Sequence, residues 1–288
     1  MSAEATTLGR LGGAVVSVPD PDASAGFLEA ALGFEIRPLD GGLQVVCAGD
    51  YGESGQVALE LRPGSETGLV ELVFEVGAGY DLEALAERAR GAGLAPAAAG
   101  GEEVAFVDAT GIGLRCVRAA AREVAPPAAD GLRPRRLGHV NLKAADPGAA
   151  AGGWEAVMGM MLSEQIGEAL YFLRIAREHH NIGLRPGPRG ELHHLGFEVA
   201  GWHVYEPILD RLSSLGHRVE YGPGRHTPGN NIFTYLLEPS SGLRLELFAD
   251  MGQIAAGAEH EPKRWQAGDR MTQTLNRWGP LPPESFLA

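Results

Sequence analysis

The chain has 288 residues, 44% of them hydrophobic, so it can bury one large core or two of moderate size. Its formal net charge of −13 disfavours nucleic acid and anionic membrane surfaces as partners, because both require a basic face. Two distant cysteines, Cys47 and Cys116, provide neither a disulfide framework nor a CxxC motif. The N-terminus does not resemble a signal peptide and no apolar run could span a bilayer, so we expect a cytoplasmic protein.

The sequence repeats itself at a long interval. Residues Leu11–Glu35 and Leu137–Met161 both begin with Leu-Gly, alternate like a strand, pass through a turn of Asp and Pro, and enter an Ala-rich helix. Gly13 and Gly33 are 20 positions apart, as are His139 and Gly159. Such internal similarity predicts that the two halves of the chain share one architecture.

The later strands of the two halves also correspond. The segment VELVFEV (70–76) matches HHLGFEV (193–199), and TGIGLRCVR (110–118) matches SSGLRLELF (240–248). A stretch of helical period follows each FEV, at Leu82–Ala92 and Tyr205–Leu215. We therefore predict an α+β fold in which each half contains two β-α-β-β-β modules.

The repeats suggest domain boundaries. Residues 1–125 form the predicted N-terminal domain and residues 126–250 the predicted C-terminal domain, with the Pro- and Arg-rich segment 122–136 as a linker. Residues 251–288 have no counterpart in the first half and form a tail.

Strand alternation separates the polar residues of the second half from its core. Successive strand side chains point to opposite faces of a sheet. In LGHVNLK, Val140 and Leu142 suit packing against a helix, which leaves His139 and Asn141 on the other face.

The same alternation applies to the two later strands. In HHLGFEV it places His194 on the face of His139, and it places His193 with the apolar residues on the helix-packed face. In LRLELF it places Glu246 with His194. Two His and one carboxylate with open coordination positions suit Fe(II) that must also hold substrate and O₂.

The first half acts as an internal control for this site. Its aligned positions are Gly13, Glu71 and Val117, which do not make an equivalent ligand set. Glu71 is interpreted as a solvated or paired carboxylate. We therefore expect a metal site in the C-terminal domain and a domain without a metal site before it.

Taken with these residues, the sequence resembles the two-domain extradiol catechol dioxygenases of the vicinal oxygen chelate superfamily over essentially its whole length. The most specific segment is GRHTPGNNIFTYLLEPSSGLRLELF (224–248), which carries His226, Tyr235, Glu238-Pro239, Gly242 and Glu246 in the order of the family signature. Two features depart from that signature: Thr234 precedes the Tyr, and the EPSSG turn is one residue longer. The segments LGHVNL, HHLGFEV and RWGPLPPESF are closest to the catechol 2,3-dioxygenase and homoprotocatechuate 2,3-dioxygenase branch.

The resemblance implies tandem vicinal oxygen chelate domains, each an incomplete barrel of paired modules. It implies that His139, His194 and Glu246 bind Fe(II), or less often Mn(II), with O₂ as co-substrate. The expected reaction cleaves a catecholic ring beside its hydroxyls and gives a muconic semialdehyde-type product, and the expected assembly is a homo-oligomer, either a dimer or a tetramer.

The resemblance also implies roles for residues near the metal. His180 would be the acid/base, Tyr235 would hydrogen-bond the deprotonated catechol oxygen, and His226 would orient the ring. Asn141 faces the same cavity and is expected to contact substrate or oxygen. Strand period alone allows either His179 or His180 to face inward, and the resemblance favours His180.

Several alternatives stay open at this stage. The chain could be another metal-dependent enzyme of the superfamily, a glyoxalase-type isomerase or a thiol transferase, although those usually draw ligands from two modules. It could also be a non-enzymatic module that binds an aromatic drug, although such modules typically lack the triad. The tail either covers the site, where Arg270 or Arg277 would meet a substrate carboxylate, or forms a subunit contact.

Overall fold

The computed structural model describes residues 8–49, 55–97, 101–119, 131–255, 259–266, 268 and 275–287. Most of the predicted linker lies outside these residues, as does Arg270. Two mixed sheets, one from each half, are covered by helices. Within the described ranges, every helix is too short or too polar to traverse a bilayer.

The first sheet has seven strands in the order β2-β3-β4-β1-β5-β7-β6. Its elements are β1 (Arg10–Val18), α1 (Pro21–Leu32), β2 (Glu35–Leu39), β3 (Gly42–Val46), β4 (Val57–Pro63), β5 (Gly68–Val76), α2 (Leu82–Gly91), β6 (Glu103–Val107) and β7 (Gly113–Arg118).

The second sheet has nine strands in the order β13-β14-β15-β12-β8-β11-β10-β9-β16. Its elements are β8 (Arg136–Ala144), α3 (Pro147–Met158), β9 (Met161–Ile166), β10 (Leu170–Arg174), β11 (Ile182–Pro186), β12 (Leu192–Glu198), α4 (Tyr205–Ser214), β13 (Tyr221–Arg225), β14 (Ile232–Leu237), β15 (Arg244–Ala249), β16 (Lys263–Trp265) and α5 (Glu284–Leu287).

The predicted modules are present. Three of the four follow the β-α-β-β-β order, and the module that starts with β5 has two named strands after its helix in the described residues. There Ala97 forms a single bridge with Ala105 in place of a full strand. In each sheet the first strands of the two modules, β1 with β5 and β8 with β12, pair antiparallel at the centre.

Matching local signals start and end the first helix of each half. Asp20 and Asp146 cap α1 and α3 by accepting hydrogen bonds from the backbone amides of Ala23 and Ala149 at 2.9 Å, and a proline follows each cap. Gly33 and Gly159 end the helices with φ of 70° and 71°. These positive φ values favour glycine, which explains the small residue at the same distance in both repeats.

A buried carboxylate connects the two halves. Glu238, in the turn after β14, accepts hydrogen bonds from the serines and backbone amides of its own turn and from the Ser24 hydroxyl of α1 at 2.9 Å. Burial alone raises the pKa of Glu238, but the hydroxyls of Ser241, Ser240 and Ser24 and the Ser240 amide lower it below its ordinary value. The acidic residue of the EPSSG turn is thus an interdomain anchor.

Candidate metal site and substrate cavity

The three predicted ligands lie together on one face of the second sheet. They project from the adjacent strands β8, β12 and β15, and each is at most 4% exposed. The Nε2 atom of His139 is 3.2 Å from Nε2 of His194 and 2.9 Å from Oε2 of Glu246. Nε2 of His194 is 3.2 Å from the same carboxylate oxygen. Three ligand atoms therefore converge on one point.

The strand register explains this convergence. Gly196 of β12 pairs with His139 on one side and with Glu246 on the other, so His139, Gly196 and Glu246 form a row across the sheet. Directly paired residues face the same side. A Cβ atom at Gly196 would lie 2.2 Å from Cε1 of His139, so the absence of a side chain at the middle position gives the imidazole its space.

The protonation states suit a divalent cation. Burial by itself raises the pKa of Glu246, but His139 and His194 hold it well below its ordinary range, so the carboxylate is ionised. Burial lowers the pKa of His194 to about 4, so this imidazole is neutral near pH 7. Ionised carboxylate and neutral imidazole are the forms that bind metals. The donor set fits Fe(II) or Mn(II).

Residues outside the triad orient its members. The side-chain amide of Asn231 donates to Oε1 of Glu246 at 2.9 Å and is buried. Nδ1 of His194 is 2.7 Å from Nδ1 of His193. By contrast, within the part of the chain that the structure describes, Nδ1 of His139 is buried without a hydrogen-bond partner.

A cavity of about 270 Å³ opens beside the triad. Its polar edge includes Asn141, His180, His226 and Tyr235. The remainder is mainly apolar, and the apolar residues come from the strands, the loops and the tail: Ile166, Leu170, Phe172, Pro186, Pro228, Leu275, Phe286 and Leu287.

Tyr235 and His226 form one hydrogen-bonded pair. Nδ1 of His226 is 2.6 Å from the carbonyl of Leu275 and must donate to it, so Nε2 accepts from the Tyr235 hydroxyl at 3.0 Å. Burial, followed by the charge of Glu246, raises the pKa of Tyr235 well above its ordinary value, so the phenol is protonated. The β14 register places Tyr235 opposite Glu246, one strand from the ligands.

Of the two histidines before β11, His180 is the one that lines the cavity. Its ring centroid is 4.8 Å from that of His139 and 5.1 Å from that of Phe172. Burial, His139 and His179 lower the pKa of His180 well below its ordinary value, so the imidazole is neutral. His179 contacts His180 at 3.0 Å and approaches Glu164 at 3.6 Å.

Two predictions from strand alternation are wrong. Leu192 and His194 pair with the consecutive residues Leu142 and Asn141, so β12 contains a bulge and His193 is an extra residue. The bulge turns His193 away from the helix-packed face to the cavity wall, where it is 2% exposed and its Nε2 is 2.9 Å from the Phe286 carbonyl.

The second wrong prediction concerns the counterpart of Glu246. Val73, which pairs with Gly13, also pairs with Arg115, so Arg115 rather than Val117 occupies that position. The alignment was displaced by two residues because both segments share the same Gly-Leu-Arg triplet. Glu71 is ion-paired with Arg115 at 2.8 Å, which agrees with its interpretation as a paired carboxylate.

The tail extends the second sheet and also lines the cavity. Its strand β16 pairs with β9, and α5 places Phe286 with its ring 4.6 Å from the ring of Tyr235. Arg277 is exposed, donates to Asn230 at 3.0 Å and is not among the described residues that line the cavity.

Comparison with known proteins agrees with the architecture and the site. The profile of the Glyoxalase/Bleomycin resistance protein/Dioxygenase superfamily matches residues 136–247. The matched residues run from β8 into β15 of the second sheet. The matched range ends one residue after Glu246 and includes all three candidate ligands.

Individual relatives extend the comparison. Metapyrocatechase 2 from Cupriavidus necator is 31% identical over 157 residues, 54% of this chain and 47% of that protein. The chain spans about half the length of the curated relatives it matches.

Solved structures cover more of the fold. An Mn(II)-bound glyoxalase from Novosphingobium aromaticivorans has a TM-score of 0.83 at 22% identity, covering 95% of this chain and 91% of that chain. Homoprotocatechuate 2,3-dioxygenase from Arthrobacter globiformis has a TM-score of 0.82 at 19% identity, covering 97% of this chain and 90% of that chain. These similarities confirm the predicted α+β fold with two tandem domains of similar architecture.

Proposed function

We propose that the chain is an extradiol ring-cleaving dioxygenase acting on a catecholic substrate. The observation that carries the proposal is the convergence of His139, His194 and Glu246 beside a cavity that also holds His180, Tyr235 and His226. The similarity to metapyrocatechase 2 supports it. These three ligands would hold Fe(II), with Mn(II) as the less favoured ion.

The metal would supply adjacent coordination positions for a chelating catecholate and for O₂, and so bring the two reactants together. The chain's own residues would then manage protons and orientation. His180 is neutral and faces the cavity, so it can accept a proton from a catechol hydroxyl and return it later.

Tyr235 and His226 would fix the position of the ring. The phenol stays protonated, so its hydroxyl can donate to a deprotonated catechol oxygen in place of its present contact with His226. The Leu275 carbonyl holds the His226 ring in place, and the ring stacks on Phe233 at 3.9 Å. Asn141, whose Oδ1 has no hydrogen-bond partner among the described residues, would contact substrate or oxygen at the polar edge.

The residues of the cavity wall also indicate which substituent on the catechol ring the site would favour. Among its described residues the one Lys or Arg is Arg185, whose guanidinium contacts His193 and donates to the carbonyl of Leu287 at 3.3 Å. The rest of the wall away from the ligands is mainly apolar. We therefore expect an alkyl- or aryl-substituted catechol to be cleaved with a higher kcat/KM than one with a carboxylate substituent.

The test is anaerobic loading with Fe(II), followed by air and a substrate panel. The panel contains catechol, 3-methylcatechol, 2,3-dihydroxybiphenyl and homoprotocatechuate, with the hemithioacetal of methylglyoxal and glutathione to detect isomerase activity. Yellow ring-opened product with stoichiometric O₂ uptake is expected from the uncharged catechols. Iron-loaded protein that consumes no catechol, or that isomerises the hemithioacetal instead, would overturn the proposal.

A further inference from the structure

His193 connects the C-terminal segment to a candidate metal ligand. Its two ring nitrogens have different neighbours: Nδ1 is 2.7 Å from Nδ1 of His194, and Nε2 is 2.9 Å from the carbonyl oxygen of Phe286. His193 and His194 are 2% and 4% exposed, so water does not substitute for these partners. The contacts therefore link a backbone carbonyl in α5, through His193, to His194, which is one of the three candidate ligands.

The position of one proton decides whether His194 can bind a metal. A neutral imidazole carries one N–H, and the nitrogen without it is the one that binds a metal. A carbonyl can only accept, so its partner, Nε2 of His193, must donate. Nδ1 of His193 is then an acceptor, and His194 must carry its proton on Nδ1. This arrangement leaves the lone pair of His194 Nε2 directed at the triad.

A competing contact makes the carbonyl decisive. Arg185 also contacts Nε2 of His193, and a guanidinium can only donate. Pairing with Arg185 would move the His193 proton to Nδ1 and leave His194 protonated at Nε2, where it would donate to Glu246. The Phe286 carbonyl and Arg185 therefore favour opposite tautomers.

We propose that the Phe286 carbonyl, acting through His193, sets the metal-binding tautomer of His194, which makes His193 a positioning residue and the C-terminal segment part of the metal site. The inference rests on the metal site proposed above. The segment is well held for this role, because Arg244 donates to the carbonyl of Ser285 at 2.9 Å and the Phe286 ring packs 5.0 Å from the His193 ring. His139 has no such partner among the described residues, so the two imidazole ligands are supported differently.

The first experiment reads the tautomers directly. The full chain, labelled with nitrogen-15 histidine, is loaded with Zn(II) as a diamagnetic probe, and long-range nitrogen–proton correlation assigns the protonated nitrogen of each ring. We expect His193 to be protonated at Nε2 and His194 at Nδ1. A proton on Nδ1 of His193 in the Zn(II) form would overturn the proposal.

The second experiment measures Zn(II) affinity by competition with a chelator. His193→Leu is expected to weaken binding by roughly 10–100-fold, the usual effect of removing an outer hydrogen-bond partner of a metal-binding His. His193→Asn offers an amide oxygen to Nδ1 of His194 and should retain most of the affinity. His203→Leu, which alters an exposed histidine away from the cavity, is the matched control.

Unchanged affinity in His193→Leu would also contradict the proposal. If that variant does not fold, as judged by circular dichroism, the tautomers of the unmodified chain decide the question alone. Neither measurement depends on turnover, so a chain that fails to cleave catechols but shows these tautomers would refute the proposed function and leave this inference standing.

Discussion

At the scale of single residues, the partners of Glu246 distinguish it from a structural carboxylate. Another buried carboxylate beside the second sheet, Glu220, pairs with an arginine, Arg244, at 2.7 Å. The partners of Glu246 are two imidazoles and the amide of Asn231. Burying a carboxylate is costly unless its charge is compensated, and a metal ion bound to these two imidazoles would compensate it.

Glu246→Ala is therefore expected to abolish metal binding. The matched control is Glu71→Ala, which removes a carboxylate from β5 of the first sheet and should leave metal content unchanged. Metal per chain is measured after anaerobic Fe(II) loading and gel filtration. Equal iron content in the two variants would contradict the assignment of the ligand.

Substitution of His180 should affect turnover without affecting metal binding. His180→Ala is expected to keep full metal content and to lower kcat by about 10²–10⁴-fold, the usual contribution of a general acid–base group. The measurement is steady-state turnover of 3-methylcatechol alongside iron analysis. A fully active variant would show that the proton is handled by another group.

Much of the candidate site could be predicted from single residues. His139, His194 and Glu246 follow from alternation, because period two is strict in unbroken strands. Asn231 and Gly196 were missed for different reasons. Asn231 lies just before a strand, where the alternation of side chains does not apply. Gly196 matters because it lacks a side chain, and such a role leaves no pattern of polar residues in the sequence.

At the scale of elements, strand β12 controls the site. Its bulge gives two consecutive histidines access to the cavity side of the sheet, and its glycine lets His139 meet Glu246. Sequence patterns predicted the strand and its ends but not the bulge, because an inserted residue shifts the register without changing composition. A different cause, the Gly-Leu-Arg triplet shared by the two segments, displaced the predicted counterpart of Glu246 from Arg115 to Val117.

Gly196→Ala tests the spatial role of this strand. The added methyl would lie 2.2–2.4 Å from three atoms of the His139 ring, so the ring must move. A metal site tolerates changes of only about 0.2 Å in its metal–ligand distances. Because the His139 ring must move, we expect weaker metal binding with little change in circular dichroism. Gly153→Ala in α3, whose added methyl meets nothing within 4 Å, is the control and should bind metal normally. Normal metal affinity in Gly196→Ala would show that His139 has other room to occupy.

At the scale of the whole molecule, the Glu238 turn joins the two halves. The serines that it binds come from both domains, and the carboxylate itself is fully buried. The repeats predicted the domains but not this contact, because Ser24 and Glu238 are 214 positions apart and neither belongs to a recognisable pair.

Glu238→Gln is expected to lower the free energy of unfolding by about 1–3 kcal/mol near pH 7, since hydrogen bonds to an ionised acceptor are replaced by weaker ones. The folded-state pKa of Glu238 is lowered, so its stabilisation is present above the unfolded pKa and is lost as the pH falls through the folded value. The difference between the two proteins should therefore be largest at neutral pH and narrow below about pH 4.3. Urea titrations at several pH values provide the measurement, and a difference that widened in acid would contradict the assignment.

The Glu71–Arg115 pair gives the first sheet an independence that the second lacks. In the first sheet the guanidinium of Arg115 on β7 supplies the positive charge, whereas in the second sheet the proposed metal ion would supply it. Depletion of the metal ion proposed above would thus leave the ion pair of the first sheet intact, while the ionised Glu246 of the second sheet would lose its positively charged partner. Loss of the ion is thus expected to affect the second sheet and not the first, although the two sheets arise from the same repeat.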